Sequence, residues 1–206
     1  MSLHEERREL LEILFQRSFR YADTPCFTLA SGKKSHYYIN GKATTLSHPR
    51  AQYLIGRLIF HRIKDLEIQG IGGLTLGADP IAVAVSLVSG LEGKPVPAFV
   101  VRKIPKAHGL GLSIEGDLPE HARVAVLDDV VTTGGSILQA VDALEAAGHR
   151  VVKALALVDR NEGGREALAQ RGLTLEALYT IDDFMALHRA SRAAGREGVR
   201  GGPRAG

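Results

Sequence analysis

Apolar residues recur at Leu3, Leu10, Leu11, Leu14 and Phe15, the spacing of an amphipathic helix over residues 3–19. Ser2 and Glu5 add a capping box at its start. Residues 25–40, PCFTLASGKKSHYYIN, break that period: two short apolar-aromatic runs flank SGKKS and predict a hairpin-like excursion. Ser47 and Pro49 signal a second helix, carried by Leu54, Ile55, Leu58, Ile59 and Ile63. From Ile68 onward, short continuous apolar runs alternate with helical patterns. Strands are predicted at IQGIGG (68–73), VPAFVV (96–101), RVAVLDD (123–129), VVKALALVD (151–159) and TLEALYTI (174–181). Helices are predicted at 81–88, 136–147, about 164–171 and 182–192, with a polar loop at 102–120. Asp79 and Pro80 read as cap and first residue of the helix at 81–88, and Gly148 as the left-handed cap closing the helix at 136–147.

Strands without polar alternation are buried on both faces. The expected fold class is therefore α/β, a central, mainly parallel sheet flanked by helices. One domain is expected over residues 1–194, with a small N-terminal unit at about 20–45 beside the first helix and a core at about 50–192. Residues 195–206, GREGVRGGPRAG, cannot bury a core and are expected to form a mobile tail.

Charge changes this picture in one respect. The net charge is +3, but residues 189–206 hold five arginines against Glu197, a net +4, so the rest of the chain carries −1. The basic character belongs to the tail, which argues against a nucleic-acid-binding domain. Cys26 is the one cysteine, so no intrachain disulfide forms, in keeping with the cytoplasm. No apolar leader and no membrane-length apolar run is present in the sequence.

In parallel sheets, ligands bind outside the carboxyl ends of the strands. Four unusual segments fall there: GGLTLGADP, RKIPKAHG, DDVVTTGGS and DRNEGG. In VAVLDDVVTTGGS, strand alternation sends Asp128 and Asp129 to opposite sides. An unpaired acid at a core edge is costly. A ribose diol, or a Mg²⁺ carrying waters, would satisfy the pair. Thr132, Thr133, Gly134, Gly135 and Ser136 then offer hydroxyls and backbone N–H groups at a helix start, where an anion gains about 0.3–1 kcal/mol from the helix dipole. No lysine follows the glycines, so this is no Walker A loop, and it lacks the GxGxxG spacing. A plain strand-to-helix turn with capping hydroxyls is the structural alternative.

VAVLDDVVTTGGS resembles the 5-phosphoribosyl-1-diphosphate (PRPP) signature of the type I phosphoribosyltransferases: apolar strand, two acids, apolar pair, then Thr-x-Gly-x-Ser. RKIPKAHG brings Arg102, Lys103, Lys106 and His108 together beside Gly109, Gly111 and Gly116, and resembles the catalytic loop of the orotate phosphoribosyltransferases. The resemblance implies a type I fold with the N-terminal unit as a hood, and a flexible cationic loop that closes over the neighbouring subunit's site in a homodimer. It implies Asp128 and Asp129 on the ribose hydroxyls, Val130 to Ser136 (through Val131) around the 5′-phosphate, and Leu76 with Gly77 in the diphosphate loop. It also implies Lys106, His108, Asp128 and Asp129 as catalytic groups, Arg102, Lys103, Lys106 and His108 on the diphosphate, and Mg²⁺ held mainly by PRPP and water rather than by a protein ligand.

DRNEGG carries the acceptor. By the same resemblance Arg160 grips the orotate ring and its carboxylate, chemistry that suits a planar guanidinium fork. Thr132 also reaches the orotate, and Tyr38 and Ile39, in FTLASGKKSHYYIN, pack against the base. Where many members carry a substrate-contacting lysine this chain has Ala30, leaving Lys33 and Lys34 as nearby cations. The expected reaction joins orotate and PRPP to give orotidine 5′-monophosphate and diphosphate, without nucleic-acid or membrane partners. Its rivals are a purine phosphoribosyltransferase and a PRPP-sensing, nucleic-acid-binding regulator.

Overall fold

The computed structural model describes residues 1–28, 32, 34–103 and 114–200, the last seven as backbone only. The core is a six-stranded sheet built from β5 (Gly70–Leu74), β6 (Ala98–Val101), β7 (Ile114–Glu115), β8 (Arg123–Val131), β9 (Arg150–Asp159) and β10 (Leu175–Thr180). Its order is β10-β9-β8-β5-β6-β7. All pairings are parallel except β6 with β7. The chain winds one way from β5 to β6 and the other way from β8 through β9 to β10. The reversal between β5 and β8 opens a crevice at their carboxyl ends, where such sheets bind ligands.

Strand β8 shows why the sheet needs cover on both faces. Ala125 and Leu127 enter one core with Leu10, Leu54 and Phe184, from α1 (Leu3–Ser18), α3 (Pro49–Ile63) and α7 (Ile181–Arg200). Val124 and Val126 enter the other with Ile137, Val141 and Leu168, from α5 (Gly135–Ala146) and α6 (Gly164–Ala169). Helix α4 (Asp79–Leu91) joins the first core through Ile81, Val85 and Val88. The hood consists of β1 (Phe19–Tyr21) paired antiparallel with β4 (Tyr37–Ile39), β2 (Phe27–Thr28) with β3 (Lys34–Ser35), and the short α2 (Lys42–Thr45).

The predicted elements are present, with differences that have local causes. The Ser2–Glu5 capping box forms as expected. His48, not Ser47, caps α3: its Nδ1 accepts from the Ala51 N–H at 3.1 Å, while the Ser47 hydroxyl donates to the Ala43 carbonyl. Asp79 lies inside the first turn of α4, whose cap position is Ala78, with no side-chain cap. Burial pushes the Asp79 carboxyl up from its ordinary value. Gly148 takes the expected left-handed conformation at φ +84°. Helix α7 continues to Arg200, so residues 195–200 of the expected tail are helical, while 201–206 lie outside the described residues.

Candidate active site

Strand β8 carries Asp128 and Asp129 to the crevice, where they are only 8 % and 5 % exposed. Alternation along the strand would separate them, and this expectation fails. A Cβ added at Gly77 would lie 2.6 Å from Asp129 Oδ1 and 2.7 Å from Asp128 Oδ1, so both carboxylates face the same glycine. The cause is local: the Asp128 carboxylate turns back along the chain to accept the Asp129 N–H at 2.9 Å. Two like charges at one buried spot oppose each other. Burial first, and the Asp129 charge second, push Asp128 up to about 7.

Around the pair lies a cleft of about 290 Å³, whose lining includes the expected Tyr38, Ile39, Leu76, Gly77, Lys103, Asp128, Asp129, Val130 and Ser136. Asn40, Gly41 and Lys42 line it as well. A neighbouring space of about 460 Å³ is bordered by Arg102, Lys103 and Thr75, and it extends the cleft beyond Lys103. Arg102 Nη1 stands 3.4 Å from Glu115 Oε1 on β7. Lys106 and His108 lie outside the described residues, as do Ala30 and Lys33. Lys34 turns away from the cleft: its Nζ donates to Thr28 Oγ1 at 2.7 Å within the hairpin.

Thr132 and Thr133 lead to Gly134, which takes φ +81°, and helix α5 starts at Gly135 with no side chain capping it. Thr133, Gly135 and Ser136 are exposed. The first N–H groups of α5 thus face outward in a small-residue loop, an arrangement suited to a phosphate. Val131 is instead a core residue, and its carbonyl accepts the Arg160 N–H at 2.9 Å. A Cβ at Gly164 would lie 2.5 Å from Val131 Cγ1 and 2.8 Å from the Thr132 carbonyl, so the DRNEGG loop packs directly on the start of the loop at residues 132–136.

Arg160 does not line the acid-pair cleft and is 5 % exposed. Its guanidinium lies 4.7 Å from the centroid of the Tyr37 ring. Nη2 is 2.9 Å from Glu162 Oε1. The approach is misaligned, and both Nε and Nη2 are buried without a hydrogen bond among the described residues. Buried guanidinium donors without acceptors are costly, so the site has the chemistry to take a planar, oxygen-rich anion. Asp159, fully buried, holds the loop: it accepts the Asn161 N–H at 2.9 Å and pairs with Arg165 at 2.6 Å.

Sequence reasoning missed Lys42, Tyr37 and Glu162. Lys42 Nζ donates to Asp129 Oδ2 at 3.0 Å. In the sequence it is only a lone cation in INGKATT, at the end of the hood. Among the described residues no group of three or more His, Cys, Asp or Glu side chains is placed to hold a metal ion. No described helix is long and apolar enough to cross a membrane.

Comparisons with known proteins agree with this geometry. Residues 48–183 match the phosphoribosyl transferase domain family. The orotate phosphoribosyltransferase of Nostoc sp. is 49 % identical over 179 residues, 86 % of this chain and 84 % of that protein. The crystal structure of Mycobacterium tuberculosis orotate phosphoribosyltransferase in complex with Fe(III) dicitrate superposes with a TM-score of 0.76 at 40 % identity, covering 87 % of this chain and 98 % of that one. The same enzyme in complex with PRPP gives a TM-score of 0.70 at 35 % identity, over 87 % and 92 % of the two chains. With a family match across the crevice and relatives of this similarity along most of its length, the chain belongs to the type I phosphoribosyltransferases, in the orotate phosphoribosyltransferase family.

Proposed function

We propose that the chain transfers the 5-phosphoribosyl group of PRPP to orotate, giving orotidine 5′-monophosphate and diphosphate, a step of pyrimidine synthesis. The observation that carries this reading is the packing of two sites side by side, the Arg160 loop lying directly on the loop at residues 132–136. An acid pair and an uncapped helix start suit a ribose phosphate. Beside them, a buried arginine whose Nε and Nη2 make no hydrogen bond among the described residues, with Nη2 held only by an ion pair to Glu162, suits a planar carboxylate. A purine acceptor has no carboxylate for Arg160, which disfavours the purine rival. The −1 charge of the chain before Arg189 disfavours the nucleic-acid regulator.

In the reaction the bond from ribose C1 to the diphosphate oxygen breaks and its electron pair leaves with the diphosphate. The orotate ring nitrogen bonds to C1 and gives up its proton. Positioning and charge stabilisation supply the catalysis. Asp128 and Asp129 accept from the ribose hydroxyls, and the loop from Thr132 to Ser136 holds the 5′-phosphate. Arg160 aims the acceptor, with Tyr38 and Ile39 against its ring. The diphosphate leaves beside Leu76 and Gly77, facing Arg102 and Lys103. Lys106 and His108 are assigned to the closing loop, Lys106 to the diphosphate and His108 to proton exchange.

Mg²⁺ is the proposed cofactor. Two carboxylates on one cleft, one already paired with a lysine, offer acceptors for hydroxyls and for metal-bound water, and the ion adds positive charge beside the leaving diphosphate.

A homodimer is the proposed assembly, and the cytoplasm the proposed location. Val83, Leu87 and Leu91 stand exposed along α4 beside Tyr53 and Leu46. They border a groove of about 450 Å³ with a mostly apolar lining. Leu76 borders this groove and the acid-pair cleft alike, so a second copy seated there stands next to the diphosphate loop. That placement supports a loop from one subunit closing on the other's site.

The deciding assay follows orotate absorbance after addition of PRPP and Mg²⁺. Loss of absorbance that requires both additions is expected. Conversion of adenine or hypoxanthine with orotate untouched would overturn the reading. Sedimentation at the 22.1 kDa mass of one chain would overturn the dimer.

A further inference from the structure

Lys42, the first residue of α2, reaches from the hood into the core and sets its Nζ 3.0 Å from Asp129 Oδ2. The lysine side chain is 44 % exposed and the aspartate 7 %. The backbone follows the same contact. A Cβ at Gly41 would lie 2.7 Å from Asp129 Oδ2, and one at Gly77 would lie 2.6 Å from Oδ1. Asp129 is thus held with one oxygen toward the hood and the other toward the diphosphate loop. The charged and titratable side chains bordering the cleft among the described residues are Lys42 from α2, Tyr38 from β4, Lys103 after β6, and the two acids of β8.

We propose that Lys42 is the positioning residue of the acid pair: its ammonium offsets the charge of two carboxylates facing one glycine and fixes Asp129 between hood and core for the ribose hydroxyls of the donor. The role rests on the donor-binding reading of the pair. It gives the hood a part in donor binding besides its contact with the acceptor. Removing the cation leaves two acids opposed with no counter-charge in ion-pair contact among the described residues. The pair then keeps a proton to higher pH, since Lys42 acts on Asp128 in the lowering direction.

The test compares Lys42→Met and Lys42→Arg in the full chain, each checked for unchanged melting. Carbon-13 NMR of labelled aspartate carboxyls reads the pair without any reaction. The upper midpoint of the acid pair is expected to rise by about one pH unit in Lys42→Met and to return toward the original in Lys42→Arg. Calorimetry with PRPP and Mg²⁺ is expected to show about tenfold weaker binding at pH 7 in Lys42→Met, narrowing at pH 9 where both acids are ionised. An unmoved midpoint together with unchanged PRPP affinity overturns the proposal, as does Lys42→Arg behaving like Lys42→Met. If the unaltered protein binds PRPP yet leaves orotate unconverted, the acceptor assignment falls, and Lys42 is decided by the NMR midpoint alone.

Discussion

The wall proposed to bind the donor stands on β8, a nine-residue strand with seven residues buried, paired on both sides in the central sheet. The wall proposed to bind the acceptor stands largely on the hood, where β3 and β4 are two and three residues long and lie in two-stranded sheets. Backbone ladders fix the first. Side-chain contacts hold the second: the Tyr37 ring over Arg160, Tyr38 stacked on Phe27 at 6.0 Å, and Lys42 on Asp129. Two-stranded pieces are marginal alone and depend on what they pack against. The phosphate end of a donor is read by backbone N–H groups that must not move. On the proposed assignment the acceptor end is read by side chains, with Arg160 paired to Glu162 and covered by Tyr37. Substitutions on the donor wall should therefore change stability as well as chemistry, whereas those on the acceptor wall should change acceptor kinetics alone.

The largest expected effect is at Asp128. Asp128→Asn keeps an oxygen for the Asp129 N–H but loses charged acceptance of a ribose hydroxyl, and turnover is expected to fall about a hundredfold. Stability should move the other way. The Asp128 carboxyl is raised from 3.8 to about 7, so the folded chain holds this proton more tightly than the unfolded one. Stability from the protonated form is complete below about pH 3.8 and is lost as pH rises through about 7. Asparagine removes that loss. Its melting temperature at pH 8 should exceed the parent's by the equivalent of roughly 1–3 kcal/mol, and the two should agree at pH 4. A parent stability that rises from pH 4 to 8 more than the variant's would reverse the sign and break the donor-wall account.

Arg160→Lys probes the other wall. A lysine keeps the charge but loses the planar fork, so KM for orotate should rise ten- to a hundredfold, equivalent to about 1.5–3 kcal/mol, with KM for PRPP and the melting temperature little changed. Steady-state kinetics with each substrate varied in turn separates the outcomes, and an equal rise in both KM values would contradict the division between walls.

Gly73→Ala returns to the donor wall without touching a ligand group. A Cβ there collides with the Leu127 carbonyl of β8 and comes within 2.9 Å of the Ala78 Cβ. Backbone cannot yield as a side chain does, so a loss of about 1–3 kcal/mol in chemical denaturation is expected. The Ala variant holding its full stability would show β8 to be less rigid than its burial suggests.

The legibility of the two walls in the sequence followed the same division. Strands β5, β6, β8, β9 and β10 were readable because continuous apolar runs mean burial on both faces, and the acid pair and phosphate loop were readable because they end one of them. The two-residue strands of the hood, and β7 within the expected polar loop, offer too few residues for a period to show. Asp128 and Asp129 were assigned to opposite faces because alternation holds within a ladder, and the Asp128 carboxylate breaks it by binding its own neighbour's N–H. Lys42, Tyr37 and Glu162 were missed for a different reason. Lys42 and Tyr37 act through contacts with segments 87 to 125 positions away, which no local pattern encodes, and Glu162, two positions from Arg160, gains its Tyr37 contact only through the same fold.

The smallest expected effect falls at Tyr37, and it divides the two contacts that this residue makes. The hydroxyl donates to Glu162 Oε1 at 3.5 Å, at the outer limit of a hydrogen bond, while the ring covers the Arg160 guanidinium at 4.7 Å. Tyr37→Phe removes the first and keeps the second. A long, partly exposed hydrogen bond contributes about 0.5 kcal/mol, so KM for orotate should change about twofold at most. Tyr37→Leu removes the ring as well, and the lost cation–π contact of about 0.5–2 kcal/mol should raise KM for orotate by roughly two- to thirtyfold. PRPP kinetics should stay level in both, because β4 meets the donor wall through other residues. If Phe proves as damaging as Leu, the hydroxyl and Glu162 hold Arg160 in place and the ring does not. The acceptor wall would then be set by a hydrogen-bond chain as directional as the ladder across from it.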